Sequence, residues 1–401
     1  MRRLQQTRVN DSINVRIAFV IINCNRWEGT AKAVVEVAER MAQGYGHEVH
    51  LFSRTAEDVD TSRVIWHRVP GPRRPEVANF VTFYATVSRM ISMSTFDIVH
   101  SAGCNTASAN VYTIQNIQRA KRKVLKGFVR EERISRVRRL TRWLHLVITS
   151  VAEKRVYESA TGRKAPLLLP VSRGTERELR EHYDIGNSTV KIIPNAADLV
   201  VFHPIAADIR AAWRKANGLI GSDFVCIFSG GEWARKGLDL AIRALALVPH
   251  LGLKLFVAGD DPDRARYFRL ARNLGQGERV IFGGFRKDIA TAFGASDLFL
   301  FPSRYEAFSL AMIEAAACGL PSVVAKINGT EDFINPGTTG EFVKHEADNI
   351  AAVLERLVSS DRCKLVEMGQ AARQLVMTHY TWDRVATATE QCYQEYLNGR
   401  S

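Results

Sequence analysis

The 401-residue chain contains no apolar run of the 18 or so residues that a bilayer-crossing helix needs. Its start, MRRLQQTRVNDSI, is basic, but only six apolar residues follow at Ile17–Ile22, so no signal peptide is expected. The six cysteines (24, 104, 226, 318, 363 and 392) form no C-x-x-C pair and share no metal-ligand spacing with the ten histidines. That argues against a disulfide framework, and a reducing, cytoplasmic compartment is expected. Two nucleotide fingerprints are missing as well. Gly275-Gln276-Gly277 is followed by Val280 where a dinucleotide loop needs its third glycine, and no G-K-[ST] marks a P-loop. NAD-dependent and ATPase chemistry therefore lack their signatures. Asp260, Asp261 and Asp263 read as the acidic start of a helix rather than as a DxD metal pair, so neither a metal nor a resident cofactor is expected.

What is present is enough apolar residue, 46%, to fill the cores of two ordinary domains. Strand-like and helix-like segments alternate. Val15–Ile22, His47–Phe52, Val64–Val69, Asp97–His100, Leu167–Val171 and Val190–Pro194 read as strands. Ala31–Met41, Glu76–Met93 and Gly174–His182 read as helices between them. The pattern restarts with strands at Phe224–Ser229, Lys254–Ala258, Val280–Phe282, Leu298–Phe301 and Ser322–Ala325. Two such βαβ-rich halves imply an α/β protein with two parallel, helix-covered sheets. The linker falls within 195–204, and Tyr380–Leu397 reads as an aromatic-rich closing helix.

The charge is one-sided. Residues 1–200 hold 32 Lys and Arg against 19 Asp and Glu, whereas residues 201–401 hold 23 of each. Within 119–144 the basic residues alternate with Val124, Leu125, Phe128, Val129, Ile134, Val137, Leu140, Trp143 and Leu144. That spacing fits a basic amphipathic helix or helix pair, a form that binds anionic membrane surfaces with about 1 kcal/mol per basic residue. A solvated basic face is the plainer alternative. Nucleic acid is not an expected partner, because no DNA- or RNA-binding motif accompanies the charge.

The richest segment is Phe301–Pro321, FPSRYEAFSLAMIEAAACGLP. A buried strand leads into a loop, Ser309 is a candidate N-cap, and a buried Ala-rich helix runs to Gly319. Amides near Ala307, Phe308, Ser309 and Leu310 would face out of the helix start and make an anion site. Glu314 lies five residues past Ser309, about 7.5 Å along the axis, near the span from a nucleotide's phosphate to its ribose. A carboxylate there can accept both hydroxyls of a diol. Taken alone, the spacing of Glu306 and Glu314 is better explained by a capping glutamate and an exposed helical one.

The surrounding pattern changes that balance. The segment resembles the E-x7-E signature of retaining family-4 glycosyltransferases, followed here by Ala316, Gly319, Pro321 and Val323. About 70 residues upstream, Phe228–Gly237 (FSGGEWARKG) resembles the family's R-K-G donor site, in particular that of lipopolysaccharide-core members. VAGD at Val257–Asp260, GGFR at Gly283–Arg286 and DIVHS at Asp97–Ser101 match the family in place.

The resemblance covers roughly residues 14–400 and implies a GT-B fold, two Rossmann-like domains facing each other across a cleft. On that pattern residues 1–195 form the acceptor domain, 196–379 the nucleotide-sugar domain, and helix 380–401 crosses back to the first. The resemblance assigns Arg235, Lys236 and Glu306 to catalysis. It assigns Gly29, Thr30, Gly259, Phe285, Arg286, Ala307, Phe308, Ser309, Leu310 and Glu314 to donor binding, with Gln115 a possible sugar or acceptor contact. The chain departs from the family at Glu28 and Ser309, where glycines are common, and at Asn110 and Gln115, where some relatives carry Asp and His.

The implied reaction is transfer of a sugar, with retention, from a nucleotide diphosphate sugar (UDP-sugar first) to a glycan or lipid-linked acceptor of the cell surface. The expected location is the inner face of the cytoplasmic membrane. A sugar-nucleotide epimerase of GT-B fold and a non-catalytic membrane- or partner-binding protein remain as alternatives.

Overall fold

A computed structural model describes residues 14–125, 136–158 and 165–399. The chain start and the middle of the basic stretch lie outside the described residues.

Seven strands form the first sheet: β1 (Arg16–Val20), β2 (Glu48–Ser53), β3 (Ile65–Arg68), β4 (Ile98–Ala102), β5 (Val111–Ile114), β6 (Leu167–Pro170) and β7 (Thr189–Val190). Their order is β3-β2-β1-β4-β5-β6-β7 and every pairing is parallel. The period of two along β1 shows why such strands are apolar throughout. Ile17 and Phe19 pack toward the helix Gly29–Gly44, while Ala18 and Val20 pack toward Phe83, Val87 and Ile91 of the helix Glu76–Ser92. The segment expected as a strand over Val190–Pro194 pairs only as far as Val190. Lys191 and Ile193 still donate to Leu168 O and Pro170 O at 3.0 Å, and after Pro194 the chain leaves as linker.

The second sheet has six strands: β8 (Phe224–Ser229), β9 (Leu253–Ala258), β10 (Val280–Gly284), β11 (Leu298–Phe301), β12 (Ser322–Ala325) and β13 (Gly340–Val343). Its order, β10-β9-β8-β11-β12-β13, is again wholly parallel. One continuous apolar core fills this half.

The last helix, Trp382–Asn398, packs on the first half. Thr381 caps it by accepting from Arg384 N, and Trp382, Val385 and Tyr393 enter the core that holds Ile17 and Phe19. His47 Nε2 pairs with Glu390 at 2.9 Å, and His100 Nδ1 shares a hydrogen bond with Tyr393 Oη at 2.5 Å. His100 also meets Thr113 Oγ1 at 2.6 Å, and burial pushes its pKa down to about 3, so it is a satisfied, neutral core histidine.

In both sheets the strand order reverses beside the first strand, between β1 and β4 and between β8 and β11. Ligands of open parallel sheets bind in the crevice beyond the carboxyl ends of the strands at such a switch point.

The basic stretch supplies two helices, Gln118–Leu125 and Arg136–Tyr157, with residues 126–135 outside the described set. No described helix is long and apolar enough to cross a membrane.

Candidate active site

The loops that leave β8 and β11 meet at the second switch point. Arg304 ties them together. Its amide donates to Arg235 O at 2.8 Å, and its guanidinium forks across Asp239 at 2.9 and 2.8 Å while donating to Ala234 O. This brace fixes Arg235 and Lys236 opposite Glu306. Arg235 Nη1 reaches Glu306 Oε1 at 2.6 Å, and Nη2 reaches Glu232 Oε2 at 2.7 Å. Burial works against the Arg235 charge, but the two carboxylates outweigh it and hold the guanidinium firmly protonated. Burial lowers Lys236 from the usual lysine range, against the pull of Glu306. Lys236 Nζ donates to Ser229 O at 3.3 Å and lies over the Phe301 ring. A Cβ on Gly230 would run into the same ammonium, so the glycine leaves its place open. Gly237 sits at φ +79°, where any Cβ would strike the backbone oxygen of Pro302.

The helix Leu310–Ala317 follows, with Ser309 as N-cap accepting from Met312 N at 3.3 Å. Helix geometry then leaves the first amides, of Leu310 and Ala311, directed along the axis into the crevice. Ala307, Phe308 and Ser309 are buried, and the Phe308 ring packs 5.6 Å from Tyr380, so this segment offers backbone rather than side chains. Leu310 packs on the core of the first domain. Its Cδ1 stands 3.1 Å from where a Cβ on Gly29 would be, so the two helix starts abut.

Thr30 follows Gly29 at that opposing helix start. It shares the lining of a small cavity of about 30 Å³ with Gln115 and Asn195. Gln115 and Asn195 exchange amide hydrogen bonds at 3.0 and 3.2 Å, and Asn195 Nδ2 also reaches Phe308 O at 3.4 Å. Gln115 therefore belongs to an amide bridge between the halves. Gly259, at the end of β9, donates to Gly284 O at 2.7 Å beside the Gly230 turn. The Phe285 ring is 70% exposed at the rim, whereas Arg286 is held bidentately by Asp288 at 2.8 and 2.6 Å. Asn110 is not in the crevice. It accepts from Val99 N and donates to Asp97 O at the amino ends of β4 and β5, so its departure from the family pattern falls on the far edge of the sheet.

Glu314 crosses the crevice. Its Oε1 receives Lys32 Nζ at 2.5 Å from the first turn of the opposing helix. Burial raises the Glu314 pKa, and Lys32 acts against that rise. Sequence reading missed Lys32. Its only signal was a position three residues past Gly29, one turn inside a helix start that faces the ligand. Among the described residues no group of three or more His, Cys, Asp or Glu is placed to hold a metal ion.

Two switch-point crevices facing each other, with a basic pair and two carboxylates on one wall, define the class of two-domain GT-B proteins. Sequence models carry this further. Glycosyltransferase Family 4 matches residues 27–201, and Glycosyl transferases group 1 matches residues 209–375. The chain belongs to the family-4 glycosyltransferases. Among curated relatives, a D-inositol 3-phosphate glycosyltransferase of Corynebacterium aurimucosum is 29% identical over 61% of this chain and 60% of its own length. The corresponding protein of Mycobacterium marinum is 33% identical over 52% and 45%. The chain thus spans about half the length of the curated relatives it matches. Among solved structures, WaaG, a glycosyltransferase involved in lipopolysaccharide biosynthesis, superposes with TM-score 0.78 at 21% identity, covering 94% of this chain and 99% of that one. Anabaena HepE in complex with UDP and glucose gives 0.72 at 17%, covering 95% and 100%. At these identities the likeness is one of fold.

Proposed function

We propose that the protein transfers a sugar from a nucleotide diphosphate sugar, with retention of configuration and without a bound metal. One observation carries the reading. Arg235, Lys236 and Glu306 converge at the switch point opposite a second helix start. The donor lies in the cleft with its diphosphate against Arg235, Lys236 and the Leu310 and Ala311 amides. Its ribose lies on Glu314, its sugar near Glu306, and its base near Phe285. The bond from the sugar's anomeric carbon to the diphosphate breaks as the bond to the acceptor oxygen forms. The acceptor proton passes to the departing phosphate oxygen on the same face, so no protein base is required. Fixed positive groups that meet charge as it develops are usually the largest catalytic contribution.

UDP is the favoured nucleotide, in keeping with the UDP complex of HepE. A glycan or lipid-linked acceptor of cell-surface polysaccharide or lipopolysaccharide is the first reading. The names of the curated relatives favour a second, a phosphorylated polyol, and the basic excess of residues 1–200 suits either anionic acceptor. Leu140, Trp143 and Val151 are exposed on the helix Arg136–Tyr157, which supports peripheral docking on an anionic inner-membrane surface.

Thermal-shift binding of UDP-, GDP- and ADP-sugars, with Glu314→Ala alongside, tests the donor site. A stabilising shift with one nucleotide class, lost in the variant, is expected. The absence of any shift, together with sedimentation on anionic liposomes, would instead favour the non-catalytic binding protein. Product formed from donor alone would favour the epimerase.

A further inference from the structure

Lys32 stands in the first turn of the helix that begins at Gly29, its amide donating to Glu28 O at 2.8 Å. Its ammonium crosses to Glu314 Oε1 at 2.5 Å and lies 4.8 Å from the centre of the Phe202 ring, in the linker. The two side chains are only 14% and 13% exposed. We propose that Lys32 is a cross-cleft positioning residue for the donor. It fixes the Glu314 carboxylate in its ionised, hydroxyl-accepting form and ties ribose recognition to the seating of the first domain on the second. The proposal rests on the donor-site reading above.

A carboxylate offers about four lone-pair positions. Lys32 uses one, on Oε1, and leaves Oε2 and the remaining position on Oε1 for two hydroxyls. A protonated acid would lose part of that capacity and present a donor instead. Burial drives Glu314 toward the protonated form, and Lys32 is the first charge that opposes it. Lys236, from the loop after β8, acts in the same sense, and Asp198, from the linker, acts against it. Cys318 faces Glu314 from its own helix. Glu306 and Arg235 pair with each other beyond Lys236. Without Lys32, Lys236 alone would oppose burial and Asp198.

The test is isothermal titration with UDP, GDP and ADP between pH 6 and pH 9, on the wild type and on Lys32→Met, Lys32→Arg and Glu314→Gln. One nucleotide is expected to bind the wild type. Lys32→Met should weaken it tenfold or more at pH 7, and the loss should shrink as the pH rises toward 9 and favours the Glu314 carboxylate. Lys32→Arg should stay near wild type, and the Glu314→Gln loss should not vary with pH. Should Lys32→Met fail to fold by circular dichroism, Lys32→Gln is read in its place. Wild-type affinity in Lys32→Met at every pH overturns the proposal. So does an equal loss at pH 7 and pH 9, which marks a pair that only holds the domains together. A wild type that binds none of the three nucleotides overturns the donor-site reading itself, and the proposal with it.

Discussion

The crevice beyond β1 and β4 and the crevice beyond β8 and β11 occupy the same place in two sheets of the same strand order. They are filled differently. The second is rigid and charged at close range: Arg304 clamps its two loops, Arg235 is held between two carboxylates, and Gly237 leaves no space over Pro302. The first is polar and looser. Its loop after β1 turns on Asn25, whose side chain accepts from Trp27 N and Glu28 N, and Gly103 after β4 has open space around it. Yet the first half carries the whole excess of positive charge. Short-range, braced charge suits a ligand bound the same way every turnover, and diffuse charge suits steering of an anionic partner.

The sharpest way to break the comparison is to remove Lys236, the buried cation of the second crevice, whose pKa burial lowers. Lys236→Met should lower donor turnover by about 10²–10³-fold, the usual cost of one group that stabilises developing charge. Circular dichroism should show the fold unchanged. A variant that keeps wild-type turnover would move the chemistry away from the second crevice.

The next test falls on the first half. Glu153 is buried, accepting from Tyr183 Oη at 2.7 Å and from Gln118 N at 3.2 Å, so it pins the start of the basic helix Gln118–Leu125. Burial raises its pKa from 4.5 to about 7. Between those values the folded protein keeps the proton and the unfolded chain gives it up, so stability falls as pH rises through the window. The loss, about 3 kcal/mol, should be complete slightly above pH 7. Buried His100, its pKa pushed down to about 3, titrates with the opposite sign below pH 6.5, so urea unfolding at pH 5 and pH 8 is read as the difference between the wild type and Glu153→Gln. The wild type should lose about 2–3 kcal/mol more than the variant across that span.

A smaller contrast lies in two glycines. Gly237 and Gly103 have nearly the same φ, +79° and +78°. Alanine at Gly103 should cost about 1 kcal/mol, the strain of the left-handed region alone. At Gly237 it must also displace the Pro302 carbonyl, and about 3 kcal/mol is expected in thermal unfolding. Equal costs would show that the second crevice is no more tightly built than the first.

Much of this was legible in the sequence because the relevant signals are local. Buried parallel strands read as apolar runs, and β8, β9 and β11 fall within two residues of the positions their runs gave. Arg235, Lys236 and Glu306 were found from two short motifs, and folding brings them together. The misses have physical causes. The strand β5 is four residues long inside a polar loop, and β13 begins at a glycine. The helices Ala207–Ala216 and Arg362–His379 carry charged faces that dilute their apolar stripe, although Ile350, Ala351, Leu354 and Leu357 of Ala347–Val358 were a readable period. Lys32 was invisible because its meaning lies in Glu314, a partner on the other domain. The resemblance makes Gln115 a possible sugar or acceptor contact, and its amide bond to Asn195 is a tertiary contact no motif encodes.

The smallest effect separates two kinds of contact between the halves. At the rim, Arg173 donates to Asp332 from Nε at 2.7 Å and from its backbone N at 2.8 Å, and Arg177 reaches Glu331 at 2.5 Å. Arg173 is 67% exposed, unlike Lys32 in the cleft. An exposed pair contributes about 0–1 kcal/mol and is screened by salt, and the backbone bond to Asp332 survives truncation of the side chain. Arg173→Ala should therefore lower thermal stability by less than about 1 kcal/mol at low ionic strength and by nothing measurable in 1 M salt. The loss from Lys32→Met should persist in 1 M salt, because ions do not reach a buried pair. If both losses vanish in salt, the cleft pair is as solvated as the rim pair, and Glu314 does not need Lys32 to stay ionised.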